Sequence, residues 1–241
     1  MELGPQISIT SPQSQYDLRK VSGLQVWLRH GFNITLNADT GSVDVSSWGD
    51  QSSNNNHAVQ TVFDRQPGYS NGNVDFDGVD DRLELGTVLN LGTFTICAVV
   101  DLAAGSPTNE TILGNSANDF IRVNQGADVD RVFMKANGVA MNQADLTVDI
   151  PTTKFLFTIT RSDSATTNNV VVRVNAAVVT DTSADDSNVS DAFDVGTIAT
   201  AGGALTALEG LINEVCIFNE VVSAANLADI EHDIMWRNGL L

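Results

Sequence analysis

The chain has 241 residues, 42% of them hydrophobic and 17% charged, and its formal net charge is −18. Its 12 basic residues are scattered among 30 acidic ones, so no basic stripe is available to displace counterions from phosphates, and we expect no nucleic-acid partner. No run of about eighteen apolar residues occurs, and no basic segment followed by an apolar one opens the chain. We therefore expect neither membrane insertion nor a secretion signal.

The N-terminal segment, residues 1–22, is polar and turn-prone and contains Pro5 and Pro12. Such a segment is typical of an arm that is ordered only against a partner or against the main domain. Residues 23–241 are predicted to form one domain of short strands. The first strand is predicted where Leu24 begins an alternating apolar pattern, and residues 33–47 are predicted to be a loop.

The stretch that follows, residues 48–85, has the clearest pattern in the chain. Val74 and Phe76 point to one face of an extended segment, whereas Asp75 and Asp77 point to the other. Because an Asp-Gly pair between two alternating runs is typical of a tight turn, the sequence predicts a β-hairpin here.

Further alternating runs predict more strands along the rest of the chain. Their approximate positions are residues 94–102, a short strand around 112, then 120–123, 131–136, 154–161, 169–175, 191–200 and 210–218. Residues 180–191 are rich in Asp, Ser and Thr and are predicted to be an exposed segment.

One helix is predicted, at the C-terminus. Ser223 is a suitable N-cap, Arg237 suits the last turn, and Gly239 can end the helix. An apolar stripe at spacings of three and four predicts packing on the domain, and its members are Leu227, Ile230 and Ile234.

Two cysteines, Cys97 and Cys216, lie far apart in sequence inside predicted strands. Buried free thiols are the expected state and a single disulfide is the alternative, and the spacing fits no metal site.

Several of these segments resemble, in the same order, the concanavalin A-like, laminin-G-like jelly-roll family. They are GLQVWL, WGDQSSNNNHAVQ, QPGY, FDGVDDRLEL, FTICAVVDL and EGLINEVCIFNEVVSAANLADIEHDI. The resemblance covers roughly residues 23–237 and implies an all-β sandwich of two antiparallel sheets with one short C-terminal helix. Related chains often carry Trp-Leu-Asp after the first strand, where this chain has Trp27-Leu28-Arg29, so a role for that acidic position does not carry over.

Members of this family occur in secreted surface proteins, in carbohydrate-binding modules and in structural proteins of bacteriophages. The short arm and the missing leader favour a non-enzymatic virion structural or decoration protein of capsid or tail. It is expected to contact other virion proteins and host-surface glycans, and to form a symmetric homo-oligomer, by analogy a trimer. The alternative is a glycan-binding lectin or adhesion module of a secreted or cell-surface protein.

A glycosidase is not expected, because the acidic pattern that beta-glucanases of this fold carry on one strand is missing. The nearest pair, Glu209 and Glu214, is five residues apart and would face opposite ways on a regular strand. No cofactor is expected, with calcium as the one open alternative.

Calcium would be held by four carboxylates around the predicted hairpin, Asp75, Asp77, Asp80 and Asp81. The competing interpretation is that these side chains cap the turn and that Arg82 pairs with one of them.

A carbohydrate site would use aromatic rings beside polar loop residues. The candidates are Trp48, Tyr69, Asn54 and Asn109, although Trp48 and Trp27 are also typical core residues in this setting.

Overall fold

The computed structural model describes residues 16–37, 43–103, 109–123, 131–140, 144–145, 150–162, 169–179, 192–200 and 207–241. Two short 3₁₀ helices, Leu18–Lys20 and Phe63–Arg65, precede one α-helix, α1 (Ala224–Arg237). The strands in this part of the chain are β1 (Leu24–Leu28), β2 (Ile34–Leu36), β3 (Val45–Trp48), β4 (Ala58–Val59), β5 (Gly68–Ser70), β6 (Asn73–Asp77), β7 (Leu83–Leu91), β8 (Phe94–Leu102), β9 (Glu110–Ser116), β10 (Asp119–Val123), β11 (Arg131–Ala136), β12 (Val139–Ala140), β13 (Ala144–Asp145), β14 (Phe155–Arg161), β15 (Val170–Val174), β16 (Ala177–Val178), β17 (Phe193–Ile198) and β18 (Glu209–Phe218).

Two antiparallel sheets pack face to face, which confirms the predicted sandwich. The first sheet has the order β16-β15-β14-β8-β18-β6-β5, with β1 also paired to β18. The second sheet has the order β12-β11-β10-β9-β17-β7-β4-β3-β2, with β13 also paired to β11. Alternate side chains of both sheets fill one core between them, and the largest buried ones include Trp48, Phe76, Phe94, Phe155 and Phe193.

The predicted hairpin around Gly78 is wrong. Strand β6 pairs with β18 and β5 in the first sheet, whereas β7 pairs with β17 and β4 in the second. The turn therefore carries the chain from one layer to the other. Val74 and Leu83 still point into the same core, because each belongs to the inner face of its own sheet. The alternating pattern correctly predicts which side chains of β6 and β7 face the core. It does not show whether two successive strands pair with each other or belong to facing sheets.

Two parts of the chain contain more strand than the sequence predicts. Residues 33–47 include β2 and part of β3, and the short strand predicted around residue 112 extends over seven residues as β9. Strand β2 lies at the edge of the second sheet and leaves Thr35 and Leu36 exposed, so it lacks a buried alternation. Strand β9 lies inside that sheet, between β10 and β17. The exposed segment predicted at residues 180–191 lies outside the described residues, as does the arm up to residue 15.

Helix α1 lies on the outer face of the first sheet and forms a third layer there. Ser223 caps it by accepting a hydrogen bond from the Asn226 N–H, and Gly239 follows its end with a φ of +69°. The predicted stripe is buried against outward-facing side chains of the sheet in a second hydrophobic cluster. That cluster includes Leu227, Ile230, Ile234, Trp27, Cys97, Val99, Leu156, Cys216 and Phe218, together with Leu18 and Val21 from the N-terminal segment.

No helix in the described part of the chain is long and apolar enough to cross a bilayer.

Candidate functional site

The aromatic residues favoured by the sequence for sugar stacking lie mostly in the interior. Trp48 is 0% exposed, and its indole N–H donates to the Arg29 carbonyl at 3.0 Å. Trp27 is covered by α1 and donates to Glu214 Oε1 at 2.7 Å. Neither ring offers a free face to a ligand, so the stacking role expected of Trp48 is not supported by its position. Their interpretation as core residues fits these positions.

The other carbohydrate candidates lie in separate parts of the rim. Tyr69 is half-buried against the core on β5, and the side-chain amide of Asn54 donates to the carbonyl oxygens of Leu24 and Gln25 at 2.9 and 3.0 Å. Asn109 precedes β9 with a φ of +75°. No hydrogen bond in the described part of the chain joins any two of these three candidates. They remain predictions, and the loop around Asn54 also has a structural role in fixing β1.

Three of the four predicted calcium ligands come together. Asp77, Asp80 and Asp81 each have a carboxylate oxygen within 4.8 Å of the others, whereas Asp75 lies outside this group on the outer face of β6. Asp77 Oδ1 accepts hydrogen bonds from the Val79 and Asp80 N–H groups at 2.8 and 3.3 Å, so it caps the turn. The oxygen-only donor set suits calcium chemically, and the turn geometry is equally explained by the caps themselves.

The ion pairs around this turn differ from those expected. Arg82 pairs with Glu84 at 3.0 Å instead of with an aspartate of the turn, and Arg65 lies 3.6 Å from Asp80. Asp81 is buried, and its Oδ2 accepts from the Asp77 N–H at 3.1 Å. Burial, followed by the nearby Asp77 charge, raises the pKa of Asp81 to about 7. This carboxyl is therefore partly protonated at neutral pH.

Glu209 and Glu214 share one face of β18, contrary to the prediction. The pairing with β8 shifts between Ile212 and Glu214, so Asn213 is the extra residue of a β-bulge that reverses the alternation. Glu214 then lies beneath α1, where it accepts hydrogen bonds from Arg237, Asn238 Nδ2 and Trp27. The bonds from Arg237 and Asn238 fasten the helix to the sheet, and the bond from Trp27 joins β1 to β18. Together they account for Glu214 without a catalytic role.

The outer face of the second sheet carries a group of residues that are not among the predicted site residues. Strands β10 and β11 point Ile121, Val123, Val132 and Met134 into the core, so the alternate side chains point outward. We call the outward group the aromatic–cationic patch, and it consists of Phe120, Arg122, Phe133 and Lys135. In the register of the two strands Phe120 faces Lys135, and Arg122 faces Phe133.

The two rings of the patch contact each other, and Arg122 lies against one of them. The ring centroids of Phe120 and Phe133 are 5.5 Å apart, and Arg122 Cζ is 3.9 Å from the centroid of Phe120. Phe120 is buried, whereas Phe133 and Lys135 are half-buried. The sequence signal for this face is the alternation in Phe-Ile-Arg-Val and Val-Phe-Met-Lys. In each segment one aromatic and one basic residue occupy the alternate, outward positions.

No protein-family model and no curated protein sequence matches the chain. Solved structures with the same fold do match. Domain 4 of AbnA, a GH43 extracellular arabinanase from Geobacillus stearothermophilus solved in complex with arabinotriose, has a TM-score of 0.57 at 14% identity. The match covers 88% of this chain and 100% of that domain. Trypanosoma rangeli sialidase has a TM-score of 0.54 at 14% identity over 87% of this chain, which corresponds to 32% of the sialidase chain.

These similarities define the class of the protein as a β-sandwich domain of jelly-roll type. The chain is similar to a complete single domain of one enzyme and to about a third of another. At this identity the likeness is one of fold.

Proposed function

We propose that this chain is a non-catalytic glycan-binding module. The observation that carries the proposal is the aromatic–cationic patch, in which the half-buried ring of Phe133 and two basic side chains share the outer face of the second sheet. Sugar-binding sites combine an aromatic surface, which packs on the apolar face of a pyranose or furanose ring, with a few polar groups that fix its orientation.

The arabinanase domain supports this proposal. That domain is similar to this chain along its whole length and was solved with arabinotriose bound. In this chain α1 packs on the outer face of the first sheet, whereas the patch lies on the outer face of the second sheet, away from the helix. Binding without turnover fits the placement of Glu214, whose carboxylate is committed to Arg237, Asn238 and Trp27.

A glycan array followed by titration calorimetry tests the proposal. We expect saturable binding to at least one oligosaccharide, and at least a tenfold loss of affinity in Phe133→Ala. Phe63→Ala is the matched control, because Phe63 is 44% exposed and lies in the 3₁₀ helix between β4 and β5. In the second sheet β4 is separated from the patch strands by β7, β17 and β9. Its affinity should stay within about twofold of the wild type.

The same titration distinguishes the patch from the rim residues predicted by sequence. If Tyr69→Ala removes binding and Phe133→Ala does not, the site lies at the rim and the patch is not the binding surface. If no glycan binds, the proposed function is wrong.

The virion role predicted from the sequence has no support in the structural similarities, which favour the glycan-binding alternative. It remains a prediction, together with the trimer and the virion partners. Cosedimentation of the purified chain with phage particles would support it, whereas its absence from every particle tested would contradict it.

A further inference from the structure

The aromatic–cationic patch places positive charge on the surface of a strongly acidic chain. Arg122 and Lys135 lie on neighbouring strands, and no carboxylate of a described residue forms an ion pair with either. Carboxylates are not scarce, since the chain has 30 acidic residues for 12 basic ones. Within the described part of the chain, this face therefore presents two neighbouring cations that have no carboxylate partner.

Arg122 is also held in a fixed orientation. Its guanidinium stacks on Phe120, with Cζ 3.9 Å from the ring centroid, and its Nε donates to Thr111 Oγ1 at 3.1 Å. Among the described residues, none accepts a hydrogen bond from its two terminal amino groups. These groups form the planar fork that binds a carboxylate through two parallel hydrogen bonds.

The surroundings of Arg122 make an anion favourable there. The side chain is half-buried, and this burial lowers the pKa of Arg122 from its ordinary value. A partly desolvated cation without a counterion raises the free energy of the folded protein, and an anionic ligand would remove that cost on binding.

We propose that the patch binds a saccharide that carries a carboxylate, such as a uronic acid residue. The inference rests on the proposed function and specifies its ligand class. The Phe133 ring contacts the apolar face of the sugar, the Arg122 fork binds its carboxylate, and Lys135 adds a second positive charge. The overall charge of −18 does not oppose this, because carboxylates more than about 8 Å away are largely screened at physiological salt.

Titration calorimetry with a matched pair of ligands tests the inference. One probe is an α-1,4-linked oligogalacturonate, and the other is the same oligosaccharide fully methyl-esterified, so that the ring and linkage stay while the charge is lost. A glycan array of neutral and uronate-containing oligosaccharides run beforehand extends the comparison to other linkages. We expect the acid form to bind at least tenfold more tightly than its neutral counterpart, with an affinity that falls as sodium chloride is raised.

Three variants accompany the ligand pair. Arg122→Gln should lose at least tenfold in affinity for the acid form, and Arg122→Lys should recover only part of it, because an ammonium lacks the planar fork. Arg19→Gln is the control, since the Arg19 side chain is 62% exposed and lies on the N-terminal segment. Thermal unfolding of each variant checks that the fold is intact.

The outcomes separate this inference from the proposed function. The carboxylate inference is supported if the wild type binds the acid form more tightly than the neutral form and Arg122→Gln abolishes this preference. Equal binding of acid and neutral saccharides, or unchanged affinity in Arg122→Gln, overturns the carboxylate inference while glycan binding stands. Absence of binding to every saccharide on the array overturns both.

Discussion

At the scale of single residues, packing decides whether any side chain can replace Gly210 and how the Asp81 carboxyl titrates. Gly210 has a φ of +138°, and a Cβ there would lie 2.3 Å from the Asp101 carbonyl oxygen, so the close approach of β18 to its neighbour β8 requires glycine. Asp81 is buried beside two other carboxylates of the same turn. The sequence identified the acidic group, but only the packing distinguishes the buried carboxyl from its exposed neighbours.

The titration of Asp81 leads to a prediction about stability. Its pKa of about 7 in the folded protein lies above the ordinary 3.8, so between these values the folded state holds a proton that the unfolded state has lost. The contribution of Asp81 to the free energy of unfolding therefore falls as pH rises from about 4 to 7. We expect Asp81→Asn to be more stable than the wild type at pH 8, by on the order of 2 kcal/mol, and similar to it at pH 4.

Urea unfolding of both proteins at pH 4 and pH 8 measures this difference, with Asp80→Asn as the exposed control. An equal loss of stability at both pH values would contradict the prediction. Calcium added at pH 8 tests the predicted metal site in the same assay, because an ion held by Asp77, Asp80 and Asp81 should stabilise the wild type and not Asp81→Asn.

At the scale of elements, α1 is fastened to the first sheet by a buried ionic cluster. Glu214 is 1% exposed and receives hydrogen bonds of 2.6 to 3.0 Å from Arg237 and one of 2.8 Å from Asn238, while Asp233 forms a second ion pair with Arg237. At the other side of the helix, buried Glu231 pairs with Arg173 of β15 at 2.9 Å. The helix therefore belongs to the domain and is not a free docking element.

Removing the charge of Glu214 should weaken this attachment. We expect Glu214→Gln to lower the free energy of unfolding by about 3 kcal/mol, because Arg237 is left buried with fewer partners. Glu84→Gln removes an ion pair whose glutamate is 55% exposed, and it should cost less than about 0.5 kcal/mol. Chemical denaturation of both variants compares them, and equal effects would show that the cluster contributes no more than a surface pair.

At the scale of the whole molecule, the first sheet separates two hydrophobic clusters. The main core lies between the sheets, and the second cluster lies beneath α1 and includes Cys97 and Cys216. The two cysteines are direct neighbours on β8 and β18, and both are free and buried, as the sequence predicted. Burial raises the pKa of Cys97 to about 12 and that of Cys216 well above its ordinary value, so neither forms a reactive thiolate in the folded state.

Thiol labelling therefore tests whether α1 detaches from the first sheet by itself or only when the whole domain unfolds. We expect an aromatic disulfide reagent to modify both cysteines only at the rate of global unfolding, because both clusters share the strands of the first sheet. Unfolding followed by tryptophan fluorescence supplies the comparison rate. Labelling that is much faster than unfolding would mean that α1 detaches while the sandwich stays folded.

The sequence by itself determined the sandwich class, most strand positions, the limits of α1 and the buried thiols, because alternation, caps and apolar spacing are local properties of the chain. Tertiary structure decided that β6 and β7 belong to different sheets, that the bulge at Asn213 turns Glu214 toward α1, and that Trp48 is buried. It also placed Arg122 beside Phe133 on one outer face. These features depend on which strands pair and in what register, and pairing is fixed by contacts between segments far apart in the chain.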